Sequence, residues 1–352
     1  MKILRILMLL SVLIAFSGGW FAFSSQIPDS FFPWIVILVG VGVTLSAIGV
    51  ILGIQFHTRG ILGGVLFGLL LSFLVTSGLG IFPNIPEPRY RATYQKSLIE
   101  TITEERLQFI IDNFNGDVNI STLNQAIYNV TLVVQARGPT HQIAKNHLND
   151  FLINLHHRSV DDQQRLHLNY TVPSASHSLY AITVNVTLPQ STFINLNATS
   201  SNGDINLVDV TGEHLNIATT NGALTFLNVS AQSLTATTSN GDVEGSLEAY
   251  TTQLITTNGN VALTLPSTIN ANYTIQTRNG AIDLTLHSSS QVGYDLDLTT
   301  TNAPVTVNLP LMDYRRSEIS SKAAKTLWFE RKPIQITVLA ITSNDSIDVH
   351  LY

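Results

Sequence analysis

The chain contains no cysteine. Disulfides and thiolate metal sites are therefore unavailable, and burial and backbone hydrogen bonding must hold the molecule together. Charge is scarce as well: Asp, Glu, Lys and Arg make up only 12% of the residues. The basic residues form no long cluster and the formal net charge is -6, which excludes a nucleic-acid surface, where cations must gather against phosphate. Across residues 196–310 there is no lysine, and Arg278 is the single arginine. An acidic polysaccharide cleaved by proton abstraction needs a cation to hold its carboxylates, so that chemistry is excluded on this stretch. No phosphate-cradling loop, dinucleotide fingerprint or serine elbow is present.

What is present divides in two. Before Pro83 the only charges are Lys2, Arg5, Asp29 and Arg59. Apolar runs at 3–23, 31–54 and 61–82 are each long enough, at about 1.5 Å per residue, to cross a hydrocarbon core of roughly 30 Å. They predict a membrane anchor of three transmembrane helices over 1–82, followed by a linker at 83–96. Lys2, Arg5 at the start of the first run and Arg59 in the second loop place the N-terminus and second loop in the cytoplasm and the C-terminal domain outside. The expectation is a multi-pass protein of the cell membrane, with the lipid bilayer as its first partner.

The remainder, 97–352, is rich in Thr, Asn and Ser and carries a repeat. Asn-Gly recurs at Asn115, Asn202-Gly203, Asn221-Gly222, Asn240-Gly241, Asn258-Gly259 and Asn279-Gly280, with degenerate copies at Asn302-Ala303 and Asn344-Asp345. Three residues after each Asn stand Val118, Ile205, Leu224, Val243, Val261, Ile282, Val305 and Ile347; four before it stand Ile111, Ala198, Ile217, Ala236, Leu254, Ile275, Leu298 and Ala340. Together with apolar positions six before and five after, this is the two-residue period of strands. Each unit reads as strand, turn, strand, with glycine supplying positive φ at the turn and the intervening Thr, Asn and Asp facing water.

Such a unit buries almost nothing alone, so the units must stack. In a β-solenoid the aliphatic columns line the interior, one coil per repeat; in an antiparallel β-meander or sandwich each Asn-Gly closes a hairpin. The near-constant period favours the solenoid, because in-register stacking demands equal coils. A helical insertion is expected near 140–152, where Ile143, Ala144, Leu148, Phe151 and Leu152 have helical spacing. The predicted fold class is thus N-terminal transmembrane helices plus an all-β domain.

The stretch Ile182-Thr183-Val184-Asn185-Val186-Thr187-Leu188-Pro189, with Thr219-Thr220-Asn221-Gly222 and Thr256-Thr257-Asn258-Gly259, resembles the "putative adhesin" domain family, whose biochemical function is unknown. The resemblance covers about 97–352. It implies a β-solenoid-like fold tethered by an N-terminal membrane segment, with relatives linked to envelope-stress sensing, and it brings no catalytic residues.

The chemical candidates are few. In a solenoid Asp204 and Asp242 lie two coils apart, about 9.6 Å, near the upper end of the roughly 6.5–9.5 Å used by inverting glycosidases. Aspartate also simply suits a solvated turn exit, and Ala223, Asn260 and Ala281 fill the same column. The Asn-Gly-Asp turns at Asn115, Asn202 and Asn240 suggest calcium, but the glycine-rich nonapeptide of calcium-binding rolls is missing. His141, His147, His156, His157 and His167 show no recognised ligand spacing. Acceptor sequons lie at Asn119, Asn129, Asn169, Asn185, Asn197, Asn228, Asn272 and Asn344. No catalytic, cofactor-binding or metal-binding residue is assigned and no cofactor is implied. The leading expectation is a non-catalytic adhesion or envelope scaffold. An envelope-stress sensor acting through the anchor and a glycan-active enzyme are the alternatives. A surface glycan, a protein ligand and a membrane-protein partner are the partner classes left open, and nucleic acid is not among them.

Overall fold

The computed structural model describes residues 90–352, except 103, 161–162, 173, 191–192 and 288. The runs at 3–23, 31–54 and 61–82 lie outside these residues. The expected composite of transmembrane helices and an all-β domain is corrected on its helical side. Among the described residues the only α-helix is His141–Asn149, and no helix is long and apolar enough to cross a membrane. Its 9 residues rise about 14 Å at ~1.5 Å each, under half of a hydrocarbon core. Thr140 caps it, its Oγ1 accepting the Ile143 N–H at 3.2 Å. The strand Tyr90–Thr101 begins inside the stretch read as a linker and pairs antiparallel with Ile127–Gly138.

The rest is a flattened solenoid with two strands per coil. Strands leading into the Asn corners stack in parallel as one sheet: Phe193–Ser200, Thr211–Thr219, the second half of Leu224–Thr237, the second half of Val243–Ile255, then Ala271–Gln276. Strands leaving the corners form the other sheet: Ile205–Val208, the first halves of Leu224–Thr237 and Val243–Ile255, Val261–Leu265 and Ile282–Leu286. The antiparallel meander is excluded, because residues at the same offset from each Asn are direct parallel partners, as in Leu215↔Leu234 and Val261↔Ile282. Antiparallel pairing is confined to the two ends of the stack.

The core lies between the sheets and is made of the aliphatic columns. Ile111, Ala198, Ile217, Ala236, Leu254, Ile275, Leu298 and Ala340 are all buried, as are Val118, Ile205, Leu224, Val243, Val261, Ile282, Val305 and Ile347. Burial of such side chains, at about 25 cal/mol per Å² of apolar surface, is the dominant stabilising term.

The order of coils in space departs from their order in sequence at both ends. The coil of strands Ile334–Ile341 and Ile347–Leu351 does not follow the Asn302 coil. It is inserted between the Asn279 coil and the Asn302 coil, pairing in parallel with both. At the opposite end, Arg106–Asp112 lies between Gln163–Thr171 and Phe193–Ser200, and Val118–Leu123 lies between Tyr180–Pro189 and Ile205–Val208. The hairpin Met312–Ser317 and Ser321–Thr326 then covers one edge beyond Val292–Thr299.

Candidate functional site: the corner columns and a bulged groove

Each Asn corner is a column of repeated side-chain bonds. Asn221 Nδ2 donates to Asn202 Oδ1, Asn240 to Asn221, Asn258 to Asn240, and Asn279 to Asn258, all at 2.7–2.8 Å. The ladder continues through Asn344 to Asn279 and Asn302 to Asn344, which follows the spatial order of coils. Asn115 stands apart, its Nδ2 donating to the Tyr180 carbonyl.

The glycines of these corners are required by proximity more than by φ. Of the corner glycines, Gly116 has φ +118°, but Gly222, Gly241, Gly259 and Gly280 are not among the positive-φ residues. A Cβ at Gly222 would lie 2.0 Å from the Gly203 carbonyl oxygen, at Gly241 1.8 Å from that of Gly222, at Gly259 1.8 Å from that of Gly241, and at Gly280 2.0 Å from that of Gly259. The expectation of a left-handed turn at every corner is thus replaced by a backbone-on-backbone stack with no room for a side chain.

The inward face of the incoming strand extends to the residue two before each Asn. Thr219, Thr238, Thr256, Thr277 and Thr342 do not face water; they are buried. Each hydroxyl donates to the corner carbonyl of the neighbouring coil, those of Gly203, Gly222, Gly241, Gly259 and Gly280 respectively, at 2.8–3.0 Å. The strand period already turns this position inward, but nothing in the sequence names the carbonyl that its hydroxyl meets in this staple. The threonine's recurrence at one fixed offset was the available signal.

The aspartates after the corners act in the same framework. Asp117 Oδ1 accepts the Asp204 N–H, Asp204 Oδ1 accepts the Ala223 N–H at 2.8 Å, and Asp242 Oδ1 accepts the Asn260 N–H at 2.7 Å. Asp204 and Asp242 are therefore each occupied by a coil-to-coil bond. The histidines are dispersed among local partners: His167 Nε2 lies 2.9 Å from Asp112, His157 Nδ1 3.3 Å from Glu100, and His147 Nδ1 2.8 Å from the Arg137 carbonyl. Among the described residues no group of three or more His, Asp or Glu side chains converges as ligands. Several sequons are also engaged, with Asn119 Nδ2 bound to Asn185, Asn228 Nδ2 to Asp209 and Asn344 Nδ2 to Asn279.

The concave feature of the stack lies on the incoming sheet, away from the Asn corners. Gly212 pairs with Ile194 and His214 with Asn195, so Glu213 is an extra residue, a bulge. Glu213 stands opposite Gln232, since Gly212 pairs with Ala231 and His214 with Ser233. Gln232 in turn stands opposite Tyr250, between the pairs Ala231↔Ala249 and Ser233↔Thr251. The extra residue is thus carried from coil to coil as a column. It lines an open groove of about 350 Å³ with Phe193, Gly212, Glu248 and Ile269. Glu213 is held from below: Asn195 Nδ2 donates to it at 3.2 Å and Arg106 lies 3.6 Å away. The Oδ1 of Asn195 is left buried without a partner. Glu248 accepts both the N–H and the hydroxyl of Thr268 at 2.6 Å. Phe193 and Tyr250 are 54% and 53% exposed, so about half of each residue is open to solvent.

A parallel two-sheet solenoid with a side groove defines the class of the molecule: a β-repeat domain. The family is equally definite, since residues 108–350 match the model of the Toastrack DUF4097 domain, and the chain belongs to that family. Among solved structures, the chain is similar to a putative cell adhesion protein from Clostridium sporogenes at 12% identity, over 74% of this chain and 100% of that one, with a TM-score of 0.35. It is also similar to a putative adhesin from Bacteroides fragilis at 11% identity, over 73% and 97%, with a TM-score of 0.37. No curated protein matches the chain.

Proposed function

We propose that this domain is a non-catalytic recognition element of the cell surface, presenting a stiff β-array for adhesion or envelope scaffolding. One observation carries the reading: the polar side chains that repeat along the corners are spent on holding coils to one another. Asp204 and Asp242, the carboxylates best placed by spacing for hydrolysis, each accept a backbone N–H of the next coil. A carboxylate fixed in this way serves as a structural acceptor.

The test is a pair of measurements on the full chain. Immobilised on beads, it should retain bacterial or host-cell envelope material, and incubation should release no smaller product. Product formation that disappears in Asp204→Asn or Asp242→Asn would establish catalysis and overturn the reading, as would failure to retain any envelope material.

A further inference from the structure

The geometry points to the bulged groove as a binding site for an uncharged oligosaccharide. This deepens the recognition reading above and rests on it. Three features of the groove combine.

The first is shape. Phe193 sits on the first of four successive coils and Tyr250 on the fourth, with the Gly212 and Ala231 coils between them. At ~4.8 Å per strand the rings are separated by about 14 Å along the stack, the length of a short oligosaccharide. Small residues make the floor: Gly212, Ser230 and Ala231. Gly212 is held to glycine by its packing, because a Cβ there would lie 2.6 Å from the Leu215 side chain of the core and 2.8 Å from the Ile194 carbonyl oxygen.

The second is the exposure of the rings. An aromatic side chain half open on a folded surface forgoes about half of the roughly 150–250 Å² that full burial would remove from water. Two such rings bracketing one groove supply flat apolar platforms of the kind a pyranose ring covers with its C–H face. Binding sites of this composition, apolar walls with a few placed polar groups, are the usual form for small ligands.

The third is polar chemistry. Glu213, Glu248, Gln190 and Gln232 line the groove, and no Lys or Arg does. Carboxylates and amides accept hydrogen bonds from sugar hydroxyls, and the amides can also donate. The carboxylates are held in place before any ligand arrives, Glu213 by Asn195 and Arg106 and Glu248 by Thr268, which reduces the ordering cost of binding. Arg106 offsets the charge of Glu213, but among the described residues Glu248 has no cation beside it and repels uronic and sialic acids, so the ligand is a neutral saccharide.

The bulge column gives the site its specificity to this stretch of the repeat. Glu213 is extra to the pairing with Phe193–Ser200, and Gln232 and Tyr250 continue its row in register on the next two coils. Bulges re-aim side chains in this way at binding sites.

The experiment measures binding of the full chain to a panel of neutral, amino and acidic oligosaccharides, with thermal melting run in parallel. Neutral members should be retained and acidic ones not. Tyr250→Ala and Phe193→Ala should each weaken retention about tenfold, equal to ~1.4 kcal/mol, while the melting temperature falls by no more than about 4 °C because only half of each residue is buried. Gln232→Ala should weaken it with the fold intact. Three results overturn the proposal: no saccharide retained, preference for acidic saccharides, or retention unchanged in all three variants. If saccharides are not retained while envelope material still binds the beads, this site assignment fails and the recognition reading stands. If neither binds, both fail.

Discussion

Single residues decide whether neighbouring coils can approach. At Gly241 the space for a Cβ is already held by the Gly222 carbonyl oxygen, 1.8 Å away, and backbone on both sides leaves nothing to give. Gly241→Ala should therefore destabilise the domain by ~3 kcal/mol, the upper end of the cost of overpacking, read as a drop in the denaturation midpoint. Thr238→Val keeps the volume but removes the hydroxyl that satisfies the Gly222 carbonyl, and should cost about 1–2 kcal/mol. Thr252 offers the opposite sign. It occupies a column otherwise filled by Leu196, Leu215, Leu234 and Tyr273, it is buried, and its hydroxyl has no partner. Thr252→Val should stabilise by about 1 kcal/mol; a lower midpoint would show that the hydroxyl is satisfied after all. Titration adds a further test at this scale. Burial raises the phenols of Tyr128, Tyr170 and Tyr273 above their ordinary value of 10.0. Tyr128 is also held by its bond to Glu100, and the charge of Asp112 adds to the shift at Tyr170. A folded-state pKa above the unfolded one stabilises fully below pH ~10 and is lost as pH rises toward the folded values. Stability should hold to about pH 10 and fall above it, with tyrosinate absorbance from these residues appearing only on unfolding.

At the scale of the strand and its corner, the sequence was legible where the repeat imposed it. The columns three after and four before each Asn could be read because strand periodicity and near-equal spacing force equivalent side chains into one interior. The staple could not be read from polarity alone, since a threonine between aliphatics looks the same whether its hydroxyl meets water or a carbonyl. The groove was invisible for a related reason: an inserted residue such as Glu213 interrupts periodicity, and interruption carries no signature of what it lines. The asparagine ladder is a separate element with its own test. Asn240 donates to Asn221 and accepts from Asn258, so Asn240→Ala breaks two bonds where a change at Asn302 breaks one. The former should lower stability by about 1–2 kcal/mol, and the latter by about half that. An N-linked glycan on Asn344 would remove a rung in the same way.

For the whole molecule, the order of coils was beyond the reach of the sequence. The Asn302 and Asn344 units carry the same code, a threonine two before and an aliphatic three after, so either could dock on the Asn279 coil. The structure selects Asn344, whose Thr342 hydroxyl reaches the Gly280 carbonyl, while Thr300 reaches the carbonyl of Asp345. That choice pairs both strands of Ile334–Ile341 and Ile347–Leu351 on two sides. In an ordinary open stack the end coils fray first and hydrogen exchange is fastest there. Here the amides of Arg106–Asp112 and Ile334–Ile341 should exchange as slowly as those of the central coils, and removing residues 333–352 should unprotect the Ala271–Gln276 and Val292–Thr299 strands that pair with Ile334–Ile341.

The same arrangement sets a timetable for assembly on the ribosome. Coils from Asn202 to Asn279 can close one after another as they emerge, each finding its seat already built. The Asn302 coil emerges next and must stand off, or settle prematurely on the wrong neighbour, until the segment that belongs beneath it has been translated. The stack is fastened like a belt whose tongue passes under its keeper only after the whole strap is out, and the moments before that fastening are when the chain is most open to error.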